Sequence, residues 1–185
     1  MTRECYLPFP RGTFYCDGVL TPSTSIYSHL EGQRFSVPNT QHSDGTWVEL
    51  IVLRNDSGSD ITTANAFYKF ATSSQDFARA IGGINDAAGG LAVPLDDAYT
   101  VGSTWKANDL AYFVKEGWCN VVTEASSTSL AAHAPIASDA SGLVNGAAAV
   151  AGETVLGIID QASTAESTAV RCWIDIDLKP SEAAG

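Results

Sequence analysis

Charge is what this chain has little of. Charged residues fill 17% of its 185 positions, against about 25% in an ordinary globular domain, so Ser, Thr, Asn, Gly and Ala must cover much of the exterior. Lys and Arg number 10 and are scattered singly, against 21 Asp and Glu. A net charge of -11 without a basic cluster excludes tracking along a phosphate backbone, which needs grouped cations to displace counterions. No nucleic-acid partner is expected.

Long apolar runs are also missing. The longest are of the Leu50–Leu53 or Ala147–Ala151 kind, far short of the roughly 20 residues that a membrane-crossing helix needs. Met1 to Pro8 holds no hydrophobic stretch of the signal-peptide kind, so synthesis in a cytoplasm and no membrane partner are the expectations. Cys5, Cys16, Cys119 and Cys172 form no C-x-x-C pair and have no His at ligand spacing. Four reduced, mostly buried thiols are the plain reading, with a Cys5–Cys16 disulfide or a metal site as alternatives. His29, His42 and His133 lie in separate segments, each without a second ligand at i+2 or i+4, so no metal or cofactor is expected. There is no G-x-S-x-G, Walker loop, dinucleotide glycine fingerprint or H-E-x-x-H. The chain is expected not to be an enzyme.

What is present is β pattern behind an irregular start. In residues 1–46, Pro8, Pro10, Pro22 and Pro38 interrupt any helix or central strand. Tyr6, Phe9, Phe14, Tyr15, Tyr27 and Phe35 follow neither the 2.0 nor the 3.6 period. This stretch reads as an N-terminal arm, wrapped on its own domain or laid along a neighbouring subunit. Residues 47–185 read as one β-rich domain. Trp47–Arg54 is rich in large and β-branched apolar residues and stops at Asn55–Asp60, a run of turn formers. Ile61–Thr72 would supply the return strand, and Ser73–Ala80 is the only plausible helical turn. Leu110–Lys115 and Trp118–Thr123 flank Glu116-Gly117, which predicts a tight hairpin. Ser138–Gly142 and Asn145-Gly146 mark turns. In the last strand Cys172, Ile174, Ile176 and Leu178 point one way, and Trp173, Asp175 and Asp177 the other. The fold class is all-β, a small antiparallel barrel or sandwich, with Leu50, Val52, Tyr112, Val114, Val121, Leu156, Ile158, Ile174 and Ile176 in its core.

Two carboxylate pairs invite chemistry. Asp96 and Asp97 would diverge on an extended chain, whereas Asp175 and Asp177 share a face at a glycosidase-like separation, with Trp173 beside them for sugar stacking. The alternative is a solvated outer face on the last strand.

In the C-terminal third, Ala137-Ser-Asp-Ala-Ser-Gly-Leu-Val144, Ala151-Gly-Glu-Thr-Val-Leu-Gly-Ile-Ile-Asp-Gln-Ala162 and Ala169-Val-Arg-Cys-Trp-Ile174 together resemble the C-terminal part of the tailed-bacteriophage capsid decoration, or cement, proteins. These are similar to the "acid-x-x-Gly" turn, the "Gly-(Glu/Asp)-x-Val-x-Gly-Ile" strand and the closing Val-Arg strand of that family. Thr46–Gly58 and Gly82–Asp86 look like its upstream strands, so the likeness covers about residues 46–178. Residues 1–46 and Ala125–Ala132 have no counterpart.

The resemblance implies a virion protein made in the host cytoplasm. It would bind the outer capsid surface through the major capsid protein, as homotrimers at threefold and quasi-threefold positions. Tyr6, Phe9, Phe14 and Tyr15 become candidate anchors at a capsid or subunit interface. Two rivals stand beside it. A head-fibre or carbohydrate- and receptor-binding β module would use Trp173, Trp118 or Trp105 as stacking platforms beside Asp175 and Asp177; a small β-fold hydrolase is the other.

Overall fold

The computed structural model describes residues 31–38, 46–62, 65–71, 79–84, 92–95, 105–124, 130–139, 141–145, 155–164 and 167–176. Among these there is no helix. The strands are β1 (Arg34–Pro38), β2 (Trp47–Asn55), β3 (Ala66–Phe70), β4 (Ala80–Ile84), β5 (Ala92–Leu95), β6 (Leu110–Val122), β7 (Pro135–Ser138), β8 (Val144–Asn145), β9 (Gly157–Ile159) and β10 (Ala169–Asp175). They form one mixed sheet in the order β5-β3-β4-β2-β6-β10-β9-β7-β8, with β1 added alongside β2. The pairing of β2 with β4 is parallel, and the other strand pairings are antiparallel.

The all-β expectation holds, in its open form. No ladder joins β5 to β8 among the described residues, so the sheet folds over without closing. β5 packs across β6. Two backbone bonds draw the start of β3 to the far half, Val122 N–H donating to Asn65 C=O at 2.8 Å and Phe67 N–H to Gly142 C=O at 2.6 Å.

The expected hairpin at Glu116-Gly117 is instead the middle of one 13-residue strand, β6. Its first half, Leu110 to Glu116, pairs with β2; its second half, Glu116 to Val122, pairs with β10. Gly117 has φ 117, but that freedom serves a close approach rather than a turn. A Cβ there would sit 3.0 Å from the Trp47 carbonyl oxygen and 3.1 Å from Val48 Cα. Leu50 faces Val114 and Glu49 faces Glu116, which leaves Lys115 as the extra residue of a bulge. A bulge and a strained-φ glycine together let β6 change partners without a break.

The return strand differs too. β3 does not pair with β2, because β4 lies between them. Ala80 opens β4, and the remainder of the supposed helical turn at 73–78 lies outside the described residues. Of residues 1–46, the stretch at 31–38 belongs to the sheet. β1 pairs along Trp47–Ile51, and Phe35 meets Tyr112 edge-on at 6.4 Å. Glu31 anchors the approach to β1, accepting from Arg54 Nε at 2.7 Å and pairing with Arg79 at 3.2 Å.

Burial divides the sheet into two regimes. Leu50–Leu53 and Leu110–Lys115 are buried without interruption, as strands covered on both faces must be. From Glu116 onward β6 alternates, with Gly117, Cys119 and Val121 inside and Glu116, Trp118, Asn120 and Val122 outward. β10 alternates in step, with Cys172 and Ile174 inside. Half of the sheet therefore shows one wet face.

The expected core residues are buried except Ile158, which is 37% exposed. Ile159 takes the inward place opposite Cys172, and Ile158 faces outward opposite Trp173. Leu156, just before β9, is still inside, anchored by its N–H to Ile136 C=O at 2.9 Å. Gly157 hugs β10 so closely that a Cβ would overlap the Trp173 carbonyl oxygen. Leu156 precedes β9, so its burial does not set the phase of the strand, in which Gly157 and Ile159 lie opposite the inward Ile174 and Cys172. Ile174, fully buried, tests the final strand. Ile174→Ala should lower the unfolding free energy by about 2–5 kcal/mol through lost burial and a residual cavity, read from urea denaturation. An unchanged midpoint would remove β10 from the core.

Local polar order agrees with the turn readings. Asn55 is buried, donating to Ser59 C=O at 2.9 Å and Trp105 C=O at 3.1 Å, while its Oδ1 accepts from the Ser57 amide and hydroxyl. Cys119 and Cys172 form no disulfide, are buried and stand directly opposed. Burial, helped by the charge of Asp160, pushes the Cys172 thiol up to about 12, so it stays protonated at neutral pH. Cys5 and Cys16 lie outside the described residues.

Candidate functional site

The one-faced half of the sheet presents an aromatic row. Trp118 on β6 faces Trp173 on β10, Trp173 faces Ile158 on β9, and Ile158 faces Pro135 on β7. Ile176 N–H donates to Lys115 C=O and Thr123 N–H to Thr168 C=O, which makes those the hydrogen-bonded pairs of the β6/β10 ladder. Alternation then makes Trp118/Trp173 a non-hydrogen-bonded pair, where opposed side chains come closest. The two rings meet edge to face, 5.3 Å between centroids at 79°, an arrangement worth about 0.5–1.5 kcal/mol beyond its burial. The Arg171 guanidinium lies 4.7 Å from the Trp118 ring centroid, a cation–π contact, with Asp160 3.9 Å from its Nε. Val48 packs on Gly117, which puts Trp47, 57% exposed, at the β2 end of the row.

Carboxylates border this row. Glu49 faces Glu116 across one edge of β6, and Asp175 faces Glu116 across the other. Lys115 Nζ lies 3.5 Å and Arg34 Nη1 3.8 Å from Glu49 Oε1, separations for ionic attraction rather than for hydrogen bonds. Among the described cations none reaches Glu116 or Asp175, and both acids are exposed. Like charges set directly opposite repel, and water screens them here. Glu116 and Asp175 thus form a negative edge beside the tryptophan pair, without a described cation against it.

Trp173, Trp118 and Asp175 share the outward face, as a stacking platform requires. Trp105 does not belong with them. It is 1% exposed and sits in the core, 4.8 Å from Phe113 and 6.4 Å from Tyr68 between ring centroids, so it cannot serve as a platform. His133 is an exposed turn residue whose N–H donates to Ile159 C=O at 2.9 Å. Tyr6, Phe9, Phe14, Tyr15, His29, His42, Asp96, Asp97 and Asp177 lie outside the described residues. Among the described residues no group of three His, Cys, Asp or Glu is placed to hold a metal ion. Ile158 and Pro135 were not legible as members of this face, since their places depend on pairing register.

No family model matches the chain, and no curated protein matches it. Among solved structures, the head fiber gp8.5 N base in bacteriophage phi29 is similar, with a TM-score of 0.43 and 12% sequence identity, over 71% of this chain and 98% of that one. A likeness of that size bears on neither function nor partner.

Proposed function

We propose that this chain is a structural protein of a tailed-phage head. In this reading it is a decoration protein that binds the outer surface of the icosahedral shell through the major capsid protein, as a homotrimer, and stabilises it by contact rather than catalysis. One observation supports this best: the segments that resemble the decoration family fold against each other as consecutive strands. In the "acid-x-x-Gly" turn, Asp139 Oδ1 accepts from the Ser141 and Leu143 amides at 2.8 and 2.7 Å, and Gly142 takes φ 75. That turn closes β7 on β8. The glycine of the second segment, Gly157, packs on the carbonyl of Trp173 in the third. Each segment's key residue thus has a physical task that depends on its neighbour.

Reconstructions of heads assembled with and without this chain test the reading. Trimeric density on the outer surface, present only with the chain, is expected; bare shells in both samples would overturn it. The arm is proposed to carry much of the attachment through Tyr6, Phe9, Phe14 and Tyr15. Deleting residues 1–20 spares Glu31 and β1, so circular dichroism should still report a folded sheet. Capsid occupancy at fixed concentration should fall about tenfold or more, the loss that even one hot-spot anchor produces. Undiminished occupancy would move the attachment surface to the sheet and its loops.

A further inference from the structure

We infer that Cys119 on β6 and Cys172 on β10 are a redox-responsive pair, able to close a cross-strand disulfide that thiols readily reopen. The two stand directly opposite each other, inward and fully buried, on the face away from the tryptophan pair. Ile176 N–H bonds Lys115 C=O and Thr123 N–H bonds Thr168 C=O, and stepping by two from either end makes Cys119/Cys172 a hydrogen-bonded pair. Such a pair holds its Cα atoms about 5.5 Å apart, inside the roughly 4.4–6.8 Å that a disulfide accepts. Its Cβ atoms are set wide, at about 5.5 Å, whereas the bridge needs about 3.5–4.5 Å. Bridging therefore pulls the strands together locally, and the Cys172 thiol must also leave the Val170 carbonyl oxygen, 3.8 Å from its Sγ. A bond made against that resistance is strained, and strain makes a disulfide easier to reduce.

The closed sheet supplies no route for this exchange. Both cysteines are sealed from solvent, and burial, helped by the charge of Asp160, pushes the Cys172 thiol up to about 12, which leaves almost no thiolate to attack. Reaction belongs to the moments when β10 lifts from β6. Sub-global openings of this sort occur in native proteins, and on its other side β10 is held by a β9 of only three residues. Once wet, the thiolate of one cysteine attacks a low-molecular-weight disulfide such as oxidised glutathione, forming a mixed disulfide and releasing one glutathione thiolate. The second cysteine, deprotonated while still in water, then attacks the protein sulfur of the mixed disulfide as the strands regain register, and expels the other glutathione. The two protein thiols give up two electrons and two protons, and one glutathione disulfide becomes two glutathione thiols. Reduction runs the same two steps backward. Closed, the bridge ties the long strand to its late partner, so β10 can no longer leave β6.

The test incubates the full chain in mixtures of oxidised and reduced glutathione, starting from reduced and from oxidised protein. Samples are quenched in acid, alkylated and mapped for disulfide-linked peptides by mass spectrometry. A peptide joining Cys119 to Cys172 should form, and form faster when urea below the unfolding transition raises the open population. The bridged fraction should be the same from both starting points, and should fall at least several-fold when reduced glutathione is in large excess. In fully denaturing urea the shorter Cys5–Cys16 loop should take over, which separates pairing guided by strand register from pairing by chance. Cys119 and Cys172 recovered reduced at every ratio would overturn the pair. So would glutathione stalled on either one without a bridge, or links to Cys5 or Cys16 in the proportions of the denatured chain. A bridge undiminished by excess reduced glutathione with urea present would overturn its reversibility, and with it the switch.

Discussion

Gly157→Ala should lower the unfolding free energy by about 3 kcal/mol or more, the upper end of what overpacking costs. The reason is the identity of the obstructing atom. The added Cβ would overlap the carbonyl oxygen of Trp173 and sit 3.1 Å from Ile174 Cα, both backbone, so no side chain can swing aside. β9 and β10 would have to part, exposing Ile159 and Cys172, which are fully buried. Gly58→Ala is the control, since its Cβ would meet nothing within 4 Å. That change should cost only about 1 kcal/mol, from the positive φ of 75 alone. Matching urea midpoints for the two variants would mean that the β9–β10 approach is not close in solution.

Trp105→Ala should cost about 3–5 kcal/mol, a large part of the 5–15 kcal/mol that holds a typical domain together. Trp105 is the hub of the Tyr68, Phe113 and Trp105 cluster. Its indole N–H also donates to Asp109 C=O at 3.0 Å, a carbonyl that keeps the Asn55 N–H at 2.9 Å, so truncation costs one hydrogen bond as well as opening a void. Its own backbone stays in place, bonded both ways to Ile61 at 2.7 and 2.8 Å. Trp105→Phe should therefore recover most of the loss. A cost below about 1 kcal/mol for Trp105→Ala would place the indole outside the core.

How much of this was legible depended on whether local pattern or distant pairing decided the outcome. β2 and β10 stood out because apolar runs and alternation report burial directly, and the Asn55 and Asp139 turns because their side chains bond to nearby backbone. Gly117 misled because a glycine after a charged residue between two apolar runs has the composition of a hairpin turn. Only the opposing backbone at Trp47 and Val48 shows that it marks a close approach within one strand. Ile158 misled because Leu156 is buried just before β9, whereas the ladder to β10 sets Gly157 and Ile159 inward and Ile158 outward. At the candidate site, Trp173 and Asp175 were legible as outward from β10's own alternation. Trp118 joined them only through the β6/β10 register, and Trp105 was misplaced because its cluster partners lie in other strands.

The partner switch along β6 sets the order in which this protein can be completed. β2 leaves the ribosome more than fifty residues before β6, and β10 follows β6 by nearly as many, so each half of the long strand waits on a distant mate. Pairings so far apart in sequence form slowly. Until β10 emerges, the second half of β6 is an open edge that carries a tryptophan, the kind of surface on which nascent chains aggregate. Completion of the fold is thus a late event, tied to synthesis of the last strand.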